Sequence, residues 1–225
     1  MARDPHRFVN ELDPAAIERL IARLENRAKD AVFAGLFDKY AARHFAADEN
    51  LGHCVEFRVG DAHSVDLPDA SFDAVIAHTL ISHVTEPETV VREMARLVRP
   101  GGVVAIFDGD YASMTYALPD HEFARLMDVA LVTASFNNPR VMRELPRLMP
   151  RLGLTLRHAW GDAVVEIGSA SYFKSFAETY APYMAKAGLS SAAAVDTWLA
   201  AQRQAMTDGT FFAACNYYTY LASRN

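Results

Sequence analysis

The chain has 225 residues, enough for one domain with a sizeable core, and its 51% hydrophobic and 22% charged content is that of an ordinary globular protein. A net charge of −6 with no basic run excludes a phosphate-backbone partner, since such affinity comes from Lys and Arg, so no nucleic acid is expected. No stretch offers the roughly 20 apolar residues that span a bilayer, and the polar start Met1-Ala-Arg-Asp-Pro-His6 lacks an apolar signal core, so no membrane partner and a cytoplasmic location are predicted.

Asp13-Pro14 reads as a helix start, with Ile17, Leu20, Ile21, Leu24 and Ala28 on one face that continues through Leu36, Phe37 and Tyr40. Ala46 to Leu51 reads as the end of a further helix, stopped by Gly52. Residues 1–53 are thus an N-terminal helical part, and 54–225 an α/β core with helical insertions, all in one domain. Cys54 and Cys215, isolated and each inside an expected strand, are predicted to be reduced core residues.

Strands are predicted at Cys54–Val59 and Phe72–Ala77. Pro87 then opens a helix with Val90, Val91, Met94, Leu97 and Val98 as its apolar stripe, ended by Pro100-Gly101. A strand at Val103–Phe107 leads into a loop that runs through Pro119. Helices follow, one with Phe123, Leu126, Met127 and Leu131, the next starting at Asn138-Pro139 and kinked at Pro146. After Gly153, Leu154–Trp160 and Val164–Ile167 read as extended. A helix with Phe173, Phe176 and Tyr180 comes next, then one capped near Ser190-Ser191 with Val195, Trp198 and Leu199 on one side. Asp208-Gly209 is a turn before a final strand at Thr210–Leu221.

Apolar runs joined by a helical crossover write a parallel sheet, and ligands of such sheets bind beyond the carboxyl ends of the strands. Those ends carry Gly60-Asp61-Ala62-His63, His78-Thr79-Leu80 and Asp108-Gly109-Asp110-Tyr111. One crevice would therefore collect several carboxylates and imidazoles. Asp108 and Asp110 could tune each other's protonation and supply a base, or could be two solvated acids in a turn around Gly109. Gly60-Asp61 could equally be a plain strand-end turn. The spacing of His63, His78, His83, Asp108 and Asp110 matches no zinc or iron pattern, so no metal is expected.

Four segments carry a family resemblance: Phe57 to Ala62, Leu67-Pro-Asp-Ala-Ser-Phe-Asp-Ala-Val75, His83-Val-Thr-Glu-Pro87 and Arg96-Leu-Val-Arg-Pro-Gly-Gly102. In order and separation they resemble the central half of a class I S-adenosylmethionine-dependent methyltransferase, of the small-molecule branch that includes the quinone-biosynthesis enzymes. The resemblance implies a Rossmann-like sheet with helices on both faces, S-adenosylmethionine as cofactor and a small-molecule substrate. It implies that Asp61 accepts a hydrogen bond from the adenine amino group while the Ala62 amide donates to the ring. His78 and Thr79 would line the methionyl portion, and His83 matches a position commonly histidine in that branch. Asp108, Asp110 and Tyr111 would lie where the acceptor sits, with Asn137, Arg140, Tyr180, Tyr217 and Tyr218 as possible walls. Methyl transfer chiefly requires positioning, and a base only for an un-ionised nucleophile, so the family has no universal catalytic residue; His78, Asp108 and Asp110 are the candidates here.

The chain also departs from that pattern. Family members place a strand with a Gly-x-Gly-x-Gly loop, a helix and a second strand ending in an acid before the strand equivalent to Cys54–Val59, whereas no Gly-x-Gly precedes Gly60. The fold is expected to lack its first two strands, in a parallel-rich sheet where Cys54–Val59 is an edge. An exposed edge invites pairing, so a homodimer is a related expectation. The alternatives to an active methyltransferase are a donor-binding-deficient binding or scaffold protein and an internally deleted version of a longer enzyme.

Overall fold

A computed structural model describes residues 60–225. The N-terminal helical part, the strand at Cys54–Val59 with its edge position, Cys54 and the expected loss of two strands lie outside these residues. Within them the order is β1 (Phe72–His78), α1 (Pro87–Leu97), β2 (Val98–Tyr116), α2 (His121–Ser135), α3 (Val141–Arg151), β3 (Leu154–Gly168), α4 (Tyr172–Lys186), α5 (Ala192–Thr207) and β4 (Phe211–Arg224).

The strands form one sheet in the order β1-β2-β4-β3. β1 and β2 pair in parallel through the α1 crossover, His78 lying beside Phe107, while β4 runs antiparallel to both β2 and β3. The expected parallel-rich sheet is therefore corrected to a mixed one among the described residues. β4 enters from the short Asp208-Gly209 turn, where Gly209 takes φ +70°, and this sends the chain back between β2 and β3.

Burial by β4 also accounts for the other differences. β2 does not stop at Phe107 but runs to Tyr116, pairing Asp108, Gly109 and Asp110 with Tyr218, Tyr217 and Asn216 and breaking register between Asp110 and Thr115. The expected loop after Phe107 is strand because β4 supplies its backbone partners. The two extended segments after Gly153 are likewise one strand, β3, paired along β4, and the final strand continues past Leu221 to Arg224. Val98, expected on the helix stripe, already starts β2.

Helices cover both faces. On one side α2, α4 and α5 meet Phe107, Tyr111, Tyr116, Cys215 and Tyr217; on the other α1 and α3 meet Val104, Ile106, Tyr220 and Ala222. Pro87 opens α1, and α3 runs from Val141 to Arg151 through Pro146 and Pro150. Asp120 caps α2 through Phe123 N–H, and Ser191 caps α5 through Ala194 N–H. Arg96 on α1 donates to the Val65 and Leu67 carbonyls and pairs with Glu93 and Asp69, which fixes the segment leading from the Asp61 turn into β1. Cys215 is a buried free thiol, its pKa pushed up to about 12 by burial. None of the helices among the described residues is long and apolar enough to cross a membrane.

Candidate functional site

The parallel pair β1–β2 creates the crevice. At the end of β1, Thr79 adopts φ +48°, unfavourable for a residue with a branched side chain, and its N–H donates to the Phe107 carbonyl (2.8 Å). The chain therefore bends sharply there and returns through residues 80–84 over the end of β2.

Asp108 holds that turn. Its carboxylate accepts from Ser82 N–H (2.9 Å), Ser82 Oγ–H (3.1 Å), Gly109 N–H (2.8 Å) and the Tyr111 hydroxyl, and the residue is fully buried. Burial outweighs these donors and raises its pKa to about 6. Asp110, also buried, accepts a forked contact from Arg143 on α3, Nε at 2.9 Å to both oxygens and Nη2 at 2.8 Å. The two acids are therefore not solvated loop residues. Each is fully engaged, and to different elements.

The histidines are less engaged. His78 stacks on Phe107 (4.7 Å, 28°), its Nδ1 lies 3.3 Å from Thr79 Oγ1, and its Nε2 is buried with no hydrogen-bond partner. Desolvation lowers its pKa, so the ring is neutral at pH 7. His83 packs on Phe136 (5.0 Å) and lies 6.4 Å from Tyr111, and its pKa is also lowered by burial.

Asp61 lies in an exposed turn bridged to Ser64, as the plain turn alternative has it. Its Oδ1 accepts from His63 N–H (2.9 Å) and Nδ1–H (2.7 Å), which holds the carboxyl below the usual range; Oδ2 takes no hydrogen bond from the described residues. His63 Nε2 is a second buried imidazole nitrogen without a partner among the described residues. Ala62 packs beside Leu80 and Val84 against the α1 face of the core, and Glu93 on α1 accepts from Val65 N–H (2.7 Å). The Asp61 turn is thus tied to the same elements as the β1 end.

Aromatic rings fill the space between the two histidines. Tyr217 stacks on Phe107 (5.6 Å) and meets Tyr111 edge-on (6.0 Å), while Tyr111 lies flat on Phe136 (3.6 Å, 11°). Tyr180 stacks with Phe136 at the half-exposed end, and the Tyr172 and Tyr217 hydroxyls are hydrogen-bonded to each other. Asn137 donates to the His83 carbonyl (2.5 Å), so it braces the loop. Arg140 caps α3 at the surface, and Tyr218 packs on the α1/α3 face, across β4 from the Tyr111 and Tyr217 cluster.

The structure thus brings His78, Thr79, His83, Asp108, Tyr111 and Tyr217 together, leaves Asp110 facing Arg143, and places Arg140 and Tyr218 apart. Ser82, Phe136, Arg143 and Tyr172 complete the arrangement and went unseen in the sequence. A serine and an arginine signal nothing until packing sets them against an acid. Among the described residues no three His, Cys, Asp or Glu side chains are placed to hold a metal.

Comparison with known proteins adds a likeness to one family. Residues 19–106 match the family described as "Methyltransferase domain". An uncharacterized 37.1 kDa protein of a Streptomyces fradiae transposon is 29% identical over 176 residues, 77% of this chain and 49% of that protein. Phosphatidylethanolamine N-methyltransferase of Cereibacter sphaeroides is 48% identical over 65 residues, 29% of this chain and 32% of that one. The chain spans about half or less of the length of these curated relatives. The crystal structure of a putative methyltransferase from Bacillus halodurans C-125 superposes with TM-score 0.53 at 15% identity, covering 82% of this chain and 78% of that one, which shows a shared fold. β1, α1 and the first half of β2 fall inside the matched segment, and over residues 19–106 the chain is similar to a methyltransferase domain.

Proposed function

We propose that this chain transfers the methyl group of S-adenosylmethionine to a small-molecule acceptor in the crevice beyond β1 and β2. The observation that carries this is the buried Nε2 of His78 at the end of β1, which has no hydrogen-bond partner among the described residues, together with the exposed Asp61 turn, whose Oδ2 takes no hydrogen bond from them. A buried polar atom without a partner is uncommon in a folded protein and fits a place where a ligand supplies the missing bond. Asp61 and the Ala62 amide would hold the adenine, and Thr79 and His78 the methionyl part. The donor, when bound, supplies an activated methyl group.

The remaining chemistry belongs to the protein. Asp108 is a positioning residue: by holding Ser82 it fixes the turn that carries Thr79, Leu80 and His83. His78, neutral and with a bare Nε2, is the candidate base for an acceptor hydroxyl or amine. Asp108 and Asp110 are less suited to that task, since every contact they make is already to protein. The buried, mutually stacked rings of Tyr111, Phe136 and Tyr217 form an apolar backing to this site.

Phosphatidylethanolamine N-methyltransferase, similar over 65 residues, supports a small-molecule acceptor. A second role, as a methyltransferase-like binding or scaffold protein, draws on one observation, the absence of any Gly-x-Gly before Gly60. That loop's amides and the helix N-terminus behind it would otherwise hold the donor's anionic end. Calorimetric titration with S-adenosylmethionine and S-adenosylhomocysteine separates the two. Saturable binding of both is expected, and heat-silent, non-saturating titrations together with unchanged thermal stability would overturn the enzyme role.

A further inference from the structure

A second cleft, of 390 Å³, opens where β2 breaks register, between residues 112–114, α2, and the 137–140 segment leading into α3. That is within the size range of small-molecule sites. Its walls include Met114, Val129 and Val132, and Val129 is 57% exposed, so the cleft offers open apolar surface. Asn138 forms another wall and is rigidly held, its N–H donating to the Ser82 carbonyl (2.9 Å) and its amide to the Val84 carbonyl (2.5 Å).

Asp128 is the residue that gives the cleft a chemistry. It accepts from Tyr116 N–H (3.1 Å) and from the Thr115 hydroxyl, which leaves about two of a carboxylate's roughly four acceptor positions open. No cation among the described residues pairs with it, and its partial burial raises its pKa to about 7. The other charged groups lining the cleft are Arg140 and Glu144, so with all three ionised the walls carry one net negative charge. An acid that has lost water without gaining a cation is complementary to a ligand that brings one.

We propose that this cleft binds a small organic cation, a primary amine carried on an apolar body, with the ammonium on Asp128 and the body against Met114, Val129 and Val132. The site is independent of the methyl-transfer role. It shares with the crevice only the 137–140 segment, which is bonded to residues 82–84.

The test uses the whole chain and benzylamine, with benzyl alcohol as the neutral probe of the same shape, read by methyl-resolved NMR. Benzylamine should shift the Val129, Val132 and Met114 methyls saturably, with a dissociation constant on the order of 1–10 mM for so small a ligand. Benzyl alcohol should bind about tenfold more weakly or less. Asp128→Asn keeps an oxygen for Tyr116 N–H and should reduce benzylamine to the level of the alcohol. Val129→Trp, on the exposed side of α2, should block both probes without touching Asp128. Equal affinity for the two probes, benzylamine affinity retained in Asp128→Asn, or no shift at these methyls would each overturn the proposal.

Discussion

Asp61 and Asp108 come from two regions that look alike in the sequence, each an acid beside glycine in a short polar stretch. The structure makes them opposites. Asp61 stands in an exposed turn with one oxygen unused by the described residues, while Asp108 is buried beside β4 and holds Ser82 and Gly109. An acid's role is set by what remains free after folding. The exposed one is suited to a ligand, the buried one to holding a loop.

The largest test of that contrast is Asp108→Ala. It leaves Ser82 N–H, Ser82 Oγ and Gly109 N–H without their acceptor in a buried place, and should cost roughly 3–5 kcal/mol of stability by denaturant unfolding. A loss under about 1 kcal/mol would mean that Asp108 does not clamp the 79–84 turn.

Gly109→Ala probes the same region without removing a charge. A Cβ there would stand 2.7 Å from the Tyr111 ring, which cannot retreat because it lies flat on Phe136. A destabilisation of about 1–3 kcal/mol is expected, with a shifted Tyr111 ring resonance as its marker.

The pH dependence comes next. Asp108 and Asp128 have folded pKa values of about 6 and about 7, above the ordinary 3.8, because burial disfavours the carboxylate. The folded state therefore binds protons that the unfolded state has released. Stability from these groups is fully present below pH 3.8 and is lost as pH rises through 6 and then 7. The slope is at most about 1.4 kcal/mol per pH unit for each group. Asp128→Asn should flatten the upper part of the fall between pH 5 and 7, about one pH unit either side of 6, and leave the part due to Asp108. Identical pH profiles for the two proteins would show that Asp128 is not held protonated.

Asp61→Ala should have the smallest effect on the fold and a selective effect on binding. Unfolding curves should coincide with wild type, while S-adenosylmethionine affinity falls on the order of ten- to hundredfold, below detection where few other anchors exist. Unchanged affinity would place the donor away from this turn.

The β1–α1–β2 unit was legible from local pattern alone. Alternating apolar runs, Pro87 at a helix start and Pro-Gly-Gly after it are signals that act within a few residues, and so were the cap at Ser191 and the turn at Asp208-Gly209. The family resemblance was legible for the same reason, since its motifs lie along one continuous segment. Which residues line the crevice was only half legible. His78, Thr79 and His83 follow from the strand end, but the partners Ser82 and Arg143 are 26 and 33 residues away from Asp108 and Asp110. Tertiary structure alone decided that β4 inserts between β2 and β3. That insertion turned an expected loop into strand, buried two acids that the sequence left open as crevice or solvated turn residues, and made a mixed sheet of an expected parallel-rich one among the described residues. Pairing across a hundred residues leaves no periodic trace in either strand, because the partner's backbone, and not the local side chains, satisfies the exposed N–H and C=O groups.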